Sequence, residues 1–256
     1  MDPVLKRWNG SGFGLMLLGT AWLAACGGGA PAAGGEAGVQ PAQPGHAHDV
    51  STPTIPELQM QNLPVDQRLA LVSGHAAAGL ALYRAGAADE AAHHLTHLGA
   101  GAKADEVAGF DALGFKPELF NQISTEIGAG KQAVEIEPLL AEAEAHLAEM
   151  RRAAGGNPKE LVEFLMKNLA TEYDSGVDNS VIVDLGDYQD AYGYARVARD
   201  IAAAQDPAMF GALRLELDLL VLMWPGKGPM STSLPPPEFQ VAEQLARVKL
   251  ALASLP

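Results

Sequence analysis

Residues 155–173 read GGNPKELVEFLMKNLATEY, and this stretch contains the clearest helix start in the chain. Asn157 can cap a helix with its side-chain oxygen, Pro158 suits the first helical position, and Glu160 lies where its carboxylate can reach back to the cap. Apolar residues then recur every three or four positions. The pattern predicts an amphipathic helix that starts beside Asn157, and it makes the pair Gly155 and Gly156 the best internal boundary.

The same pattern fills the chain from about residue 58 onward. Apolar positions recur at helical spacing, Ala and Leu are abundant, and alternating strand-like runs are scarce. Further helices are expected at 64–85 and 90–98, which form a hairpin around the turn at 86–88, and at 116–128, 135–154, 187–204, 207–224 and 238–255. The sequence therefore predicts an all-α helical bundle built from antiparallel hairpins, with an N-terminal region at 58–154 and a C-terminal region at 155–256.

Charge and cysteine content narrow the classes of partner. The 256 residues include 17 basic and 31 acidic side chains, which gives a formal net charge of −14. Such a balance repels phosphate backbones, so no nucleic-acid partner is expected, whereas metal cations remain compatible. The chain has a single cysteine. It therefore has no internal disulfide and no zinc cluster built from thiolates.

The first residues have the pattern of an export signal. Lys6 and Arg7 precede a short apolar run at 13–22, and the sequence LAAC follows at 23–26. This tetrapeptide resembles the lipobox of bacterial lipoproteins. The resemblance implies that residues 1–25 are a signal peptide removed before Cys26, and that Cys26 is acylated with chains such as palmitate.

The segment that follows Cys26 is expected to be a flexible tether. Residues 26–57 consist of Gly, Ala, Pro and polar residues without apolar periodicity, a composition that cannot offset the entropy of ordering. His46 and His48 lie within it and could bind a metal weakly. Gly27 stands where an aspartate would favour retention at the inner membrane in lipoproteins. The resemblance therefore implies a lipid-anchored protein on the periplasmic face of the outer membrane.

Histidines cluster in the opening hairpin, and three of them could share a ligand. With a helical rise of about 1.5 Å per residue, His75 lies roughly 15 Å before the turn, while His94 and His97 lie roughly 8 to 12 Å after it on the returning helix. His94 and His97 are also neighbours on one helix face. Neutral imidazole suits iron, copper, zinc and nickel, so the hairpin predicts a transition-metal site.

Carboxylates would have to complete such a site, and Asp105 and Glu106 follow the hairpin closely enough to supply oxygen ligands. The alternative is that each histidine is an interfacial or exposed residue with a hydrogen-bond partner of its own. His93, displaced from the shared face, is expected to be exposed. His146, isolated on a helix rich in Glu and Ala, is expected to be solvated.

A second candidate set lies in the C-terminal half at Glu172, Asp187 and Asp190. Local structure alone could explain the two aspartates, because their spacing fits a helix cap with an acidic reciprocal partner. Tyr188 and Tyr192 share a face, and aromatic residues at this spacing are typical of a core.

The same region also resembles a known family. The segments Glu-Tyr at 172–173, Gly-Val-Asp at 176–178, Ile-Val at 182–183 and Asp-Tyr-Gln-Asp at 187–190 resemble the helical periplasmic region of bacterial high-affinity iron permeases. Imelysin-like iron-uptake lipoproteins look similar, and the resemblance covers about residues 159–255. It implies that the protein binds or hands over iron, or another transition metal, with Glu172, Asp187 and Asp190 at the acidic positions.

The leading hypothesis is a cell-envelope lipoprotein that binds a transition metal ion, with iron favoured and copper or zinc as alternatives. An envelope transport component would be its partner. The chain lacks the motifs of phosphate-loop enzymes, nucleophile-elbow hydrolases and zinc peptidases, so an enzyme is not expected. A non-catalytic helical scaffold that docks on another envelope component is the main alternative, and it predicts diverging histidines and an exposed groove lined by Tyr83 and Tyr192. Haem is a third hypothesis, without a Cys-x-x-Cys-His signal to favour it.

Overall fold

The computed structural model describes residue 60, residues 62–226 and residues 228–256. All of them belong to one compact unit. The signal peptide at 1–25, the acylated Cys26 and the tether at 26–57 lie outside the described residues, as do His46 and His48, so these stay predictions. Among the described helices, none combines the length and the apolar character that crossing a bilayer requires.

The described part of the chain is all-α, as the sequence predicts. Its helices are α1 Val65–Arg84, α2 Ala88–Leu95, α3 Pro117–Gly128, α4 Ala133–Ala154, α5 Pro158–Gly176, α6 Leu185–Ala203, α7 Pro207–Val221 and α8 Glu238–Ala253. Short 3-10 turns lie at Thr96–Leu98 and Asp111–Leu113. The strands β1 Val177–Asp178 and β2 Val181–Ile182 pair antiparallel in the loop between α5 and α6.

Helix α5 begins at the cap that the sequence predicts, whereas α6 begins at a different cap. Asn157 accepts the Lys159 backbone N–H at 3.0 Å, as predicted for α5. At α6, however, Asp184 is the cap and accepts the N–H of Asp187 at 3.1 Å. The interpretation of Asp187 and Asp190 as a cap and its partner is wrong, because the helix begins two residues before Asp187. Asp190 is therefore free to face another helix.

Helix α1 lies at the centre of the bundle and packs against α2, α4, α5 and α6. Leu69, Val72 and Leu82 on this helix are fully buried. A second part of the core is aromatic and gathers side chains of α5 and α6 around Trp224. Tyr83 and Tyr192 belong to the buried core, so the exposed groove that the scaffold hypothesis places at these two tyrosines is not there.

Glycine lets α1 and α6 approach each other closely beside the histidines. A Cβ added at Gly193 would lie 2.1 Å from the backbone oxygen of Gly74, and one added at Gly74 would lie 2.3 Å from the ring of Tyr194. Neither position tolerates a side chain unless the helices move apart. Glycine inside a helix destabilises the helix by about 1 kcal/mol relative to alanine. The close packing of α1 and α6 that these glycines allow offsets this cost.

His146 is buried on α4, which contradicts the prediction that it is solvated. Only 7% of its surface is exposed, and its Nε2 accepts the backbone N–H of Lys116 at 3.2 Å. The residue ties the start of α3 to α4 and is a structural acceptor. Burial, together with the charge of Lys116, lowers the pKa of His146 and so favours the neutral ring.

Candidate metal centre

Three helices bring two imidazoles and one carboxylate together. His75 lies on α1, His94 on α2 and Asp190 on α6. Asp190 Oδ1 lies 2.6 Å from His75 Nδ1 and 3.1 Å from His94 Nδ1. One ligand atom from each of the three residues lies within 4.8 Å of those of the other two. This His/His/Asp cluster could hold a metal ion.

Each position of the cluster follows from local structure. The α1–α2 hairpin folds back at Gly86, whose φ of 88° needs a residue without Cβ, and this returns His94 to the level of His75. The contact between Gly74 and Gly193 brings α6 against α1 next to His75. Asp190 lies one turn before Gly193 on α6, so the helix crossing places its carboxylate against the imidazole of His75.

Gln189 determines which nitrogen of His94 carries a proton. The Gln189 Nε2 amide donates to Glu90 Oε2 at 2.6 Å and to the backbone oxygen of Pro229 at 3.1 Å. Because both partners are acceptors, the Gln189 oxygen must point the other way, where it lies 2.7 Å from His94 Nε2. His94 therefore carries a proton on Nε2, and Nδ1 is the nitrogen that can coordinate a metal.

Glu90 is held in its turn by Ser231. The Ser231 backbone N–H and hydroxyl donate to the Glu90 carboxylate at 3.1 and 2.6 Å. The connection between α7 and α8 is thereby tied to α2, and through Gln189 to His94. A ligand residue with such a fixed tautomer and orientation binds metal more tightly than a mobile one. The sequence does not predict these roles: Gln189 lies within the motif at 187–190 without an assigned role, and Glu90 is expected only as the start of a helix.

Asp190 and the two imidazoles change each other's pKa values. Although burial would raise the pKa of Asp190, the charges and hydrogen bonds of His75 and His94 hold it well below its usual range. Burial likewise opposes the charged form of His94, yet the hydrogen bond and charge of Asp190, with Gln189 and Glu90, raise the pKa of His94. Without a metal, protons on the imidazoles compensate the Asp190 carboxylate, and a cation could take their place.

His97 and Glu106 lie beside the cluster as a pair. The ring of His97 stacks on that of His75 with centroids 4.6 Å apart, and its Nδ1 lies 3.0 Å from Glu106 Oε2. Burial would raise the pKa of Glu106, but the hydrogen bond and charge of His97 lower it. Neither residue belongs to the three-residue group, although both adjoin His75. His93 is exposed, as expected.

Glu172 and Asp187 form a separate carboxylate pair behind Asp190. Their side chains share a hydrogen bond, which lowers the pKa of Asp187, but burial and the charge of Asp184 outweigh it and raise that pKa to about 6. Of the three acidic residues expected from the C-terminal half, only Asp190 joins the histidines. The histidine and carboxylate sets therefore meet through Asp190.

A metal would need adjustments of these side chains, whose ligand atoms lie within 4.8 Å of one another. Nitrogen and oxygen ligands bind zinc and similar ions at about 2.0 to 2.2 Å, so donors around one ion lie roughly 3 to 4 Å apart. The contact of 2.6 Å between His75 and Asp190 would have to widen by a few tenths of an ångström, while the contact of 3.1 Å to His94 already fits. Three protein donors also leave coordination positions open.

Comparisons with protein-family models, with curated proteins and with solved structures found no match for this chain. The resemblance to iron permeases and imelysin-like lipoproteins therefore remains a prediction from the residues at 172–190.

Proposed function

We propose that the protein is a metal-binding protein of the cell envelope whose centre is His75, His94 and Asp190. The observation that carries the proposal is the shared contact of both imidazoles with one Asp190 oxygen, on a buried face where three helices meet. Ordinary surface histidines do not converge on one carboxylate. The fixed tautomer of His94 also supports the proposal, because it leaves Nδ1 available for coordination.

Iron(II) is the favoured ion, with copper(II) and zinc(II) as alternatives. Two histidines and one carboxylate with open positions are the donor set that holds iron(II) in non-haem iron proteins, and neutral imidazoles suit all three ions. His97 and Glu106 lie next to His75 and could supply further donors. Open positions also suit an ion that is passed on, since an incoming ligand can attach before the protein ligands leave.

The cellular setting in this proposal comes from the sequence. The basic start, the short apolar run and the sequence LAAC at 23–26 support lipid anchoring at Cys26. An anchored metal-binding protein at the periplasmic face of the outer membrane would collect an ion for an envelope transport component. The role is binding and delivery, with no catalytic step assigned to it.

Titration calorimetry tests the proposal with iron(II) under anaerobic conditions and with copper(II) and zinc(II) in air. The protein is tag-free, and His46 and His48 are both changed to alanine so that the tether contributes no imidazole. One ion per chain is expected to bind, and binding should be lost in a His75→Ala, His94→Ala double variant. Equal affinity in that double variant would refute the centre. His93→Ala is the matched control, because this histidine is exposed.

A second candidate function is docking on another protein, and one observation favours it. Leu215 and Leu219 on α7 and Leu222 at its C-cap are exposed at the spacing of a helix face. An apolar stripe of this kind is typical of protein contacts. A Leu219→Glu, Leu222→Glu variant that binds metal normally but no longer copurifies with an envelope complex would support this function.

A further inference from the structure

A cleft separate from the metal centre lies between α1, α4 and α6 and has a volume of about 700 Å³. Ligand sites in proteins commonly measure about 300 to 1,000 Å³. Its walls are mainly apolar, with side chains such as Ala76, Leu147 and Ile201. None of the residues of the His75–His94–Asp190 cluster lines it.

Arginines outnumber the carboxylates in the wall of this cleft. Arg151, Arg152 and Arg196 line it, although the whole chain has a net charge of −14. Within the described part of the chain, neither Arg151 nor Arg152 forms an ion pair within 4.0 Å. Arg196 donates to the hydroxyl of Tyr192 at 2.9 Å and has no carboxylate partner among the described residues.

The carboxylates in the cleft wall are bound to other arginines. Glu144 accepts from Arg84 Nη1 at 2.6 Å, and Asp200 accepts from Arg199 at 2.7 Å. Neither Arg84 nor Arg199 lines the cleft. Arg84 also binds Glu137, so it compensates Glu144 only in part. The cleft wall nevertheless holds three arginines against two carboxylates, which leaves a local excess of positive charge.

Two further polar groups of the wall lack a partner. Ser73 is 1% exposed and its hydroxyl makes no hydrogen bond, although a buried helical serine usually donates to the carbonyl one turn back. The Nε of Arg196 is likewise buried without an acceptor. A buried polar group without a partner destabilises the fold. Both groups border the cleft, but their atoms are closed to solvent, so a ligand would reach them only after a side-chain movement.

We infer that this cleft binds a small amphiphilic organic anion, with a carboxylate or phosphate head at Arg151 and Arg152 and an apolar body along α1 and α6. Unpaired guanidinium groups bind planar carboxylate and phosphate oxygens in pairs. Alanine and leucine side chains of the wall exclude water from the apolar part. The inference does not depend on the metal centre, and the two can fail separately.

Amide chemical-shift titration of the protein with octanoate, octyl phosphate and octylammonium tests this inference. The three probes share one apolar chain and differ in head charge. Both anions are expected to shift amides of the cleft wall, including Ala76 and Ile201, in a saturable way, and the cation is not. Shifts of equal size with all three probes, shifts elsewhere, or no saturable binding would overturn the inference.

Two double variants then test whether Arg151 and Arg152 supply the positive charge that binds the anion. Arg151→Gln with Arg152→Gln should weaken octanoate binding at least about 10-fold, since a charged hydrogen bond is lost at each head-group oxygen. Arg214→Gln with Arg247→Gln changes net charge equally but lies on α7 and α8, outside the cleft. An equal loss in both pairs would contradict a local site. Asp190→Asn should leave octanoate binding unchanged.

Discussion

Gln189 Oε1 accepts the Nε2–H of His94 at 2.7 Å, and this contact selects the nitrogen of His94 that can bind a metal. Gln189 has no freedom to rotate its amide, because Glu90 and Pro229 take both of its N–H groups. The next residue along α6, Asp190, contacts the same imidazole from its other nitrogen. Two consecutive residues of one helix therefore hold both sides of the His94 ring.

Replacing Gln189 should weaken the metal centre without removing any ligand. We expect Gln189→Leu to lower metal affinity about 10- to 100-fold, the usual effect of losing a group that orients a ligand histidine. Calorimetry measures this change. Gln244→Leu is the matched control, since Gln244 is also buried and donates to Glu216 but lies on α8. Equal affinity in wild type and Gln189→Leu would show that the tautomer of His94 does not matter.

Gly193→Ala should push α1 and α6 apart. The added Cβ would lie 2.1 Å from the backbone oxygen of Gly74, and this atom cannot move without its helix. We expect the free energy of unfolding in urea to fall by about 1 to 3 kcal/mol, with weaker metal binding because His75 and Asp190 separate. Gly211→Ala on α7 is the control, since its Cβ would meet nothing within 4 Å. That change should stabilise the protein by up to about 1 kcal/mol. Normal stability and affinity in Gly193→Ala would contradict the close crossing.

His146 should make the protein less stable in weak acid. The pKa of His146 is lowered in the folded state, mainly by burial. In the unfolded state the ring titrates near the ordinary histidine value of about 6.5. The unfolded state therefore binds more protons, and stability is lost as pH falls from about 6.5 towards the lowered folded pKa. Urea unfolding at several pH values should show a smaller loss in His146→Gln, whose side-chain oxygen can still accept from Lys116. Identical pH profiles would count against this role.

Metal binding should weaken in acid, beginning above pH 6.5. Proton and metal compete for Nδ1 of His94, and the pKa of His94 is raised because the hydrogen bond and charge of Asp190, with Gln189 and Glu90, outweigh burial. In the absence of metal, the raised pKa stabilises the fold below about pH 6.5, and this contribution is lost as pH rises through the folded value. As pH rises, the metal affinity should therefore increase over the same range in which the metal-free protein becomes less stable. Calorimetry across pH 5 to 8 tests this, and an affinity independent of pH would exclude imidazole ligands.

The sequence predicted the fold well because the necessary signals are local. Helical periodicity and the cap at Asn157 act within a few residues, and the structure has a helix at each predicted place. The start of α6 was misplaced because Asp184 and Asp187 are both good caps, and only tertiary packing chooses between them.

The site was harder to predict because its contacts join distant parts of the chain. His75 and Asp190 are separated by 115 positions, so no spacing rule links them. Gln189 lies within the motif at 187–190, but its role appears only when α2 and α6 both pack against α1 and bring it to His94. Gly74 and Gly193 are a signal that could have been used, since a glycine inside a helical pattern often has a packing reason.

X-ray absorption at the edge of the bound metal tests the central claim most directly. For the protein with His46 and His48 changed to alanine, we expect imidazole scattering from His75 and His94 with nitrogen and oxygen donors at about 2.0 to 2.2 Å. In Asp190→Asn the number of oxygen donors or the occupancy should fall, while Asp200→Asn should match the parent. A spectrum without imidazole scattering, or one unchanged in His75→Ala with His94→Ala, would contradict the account.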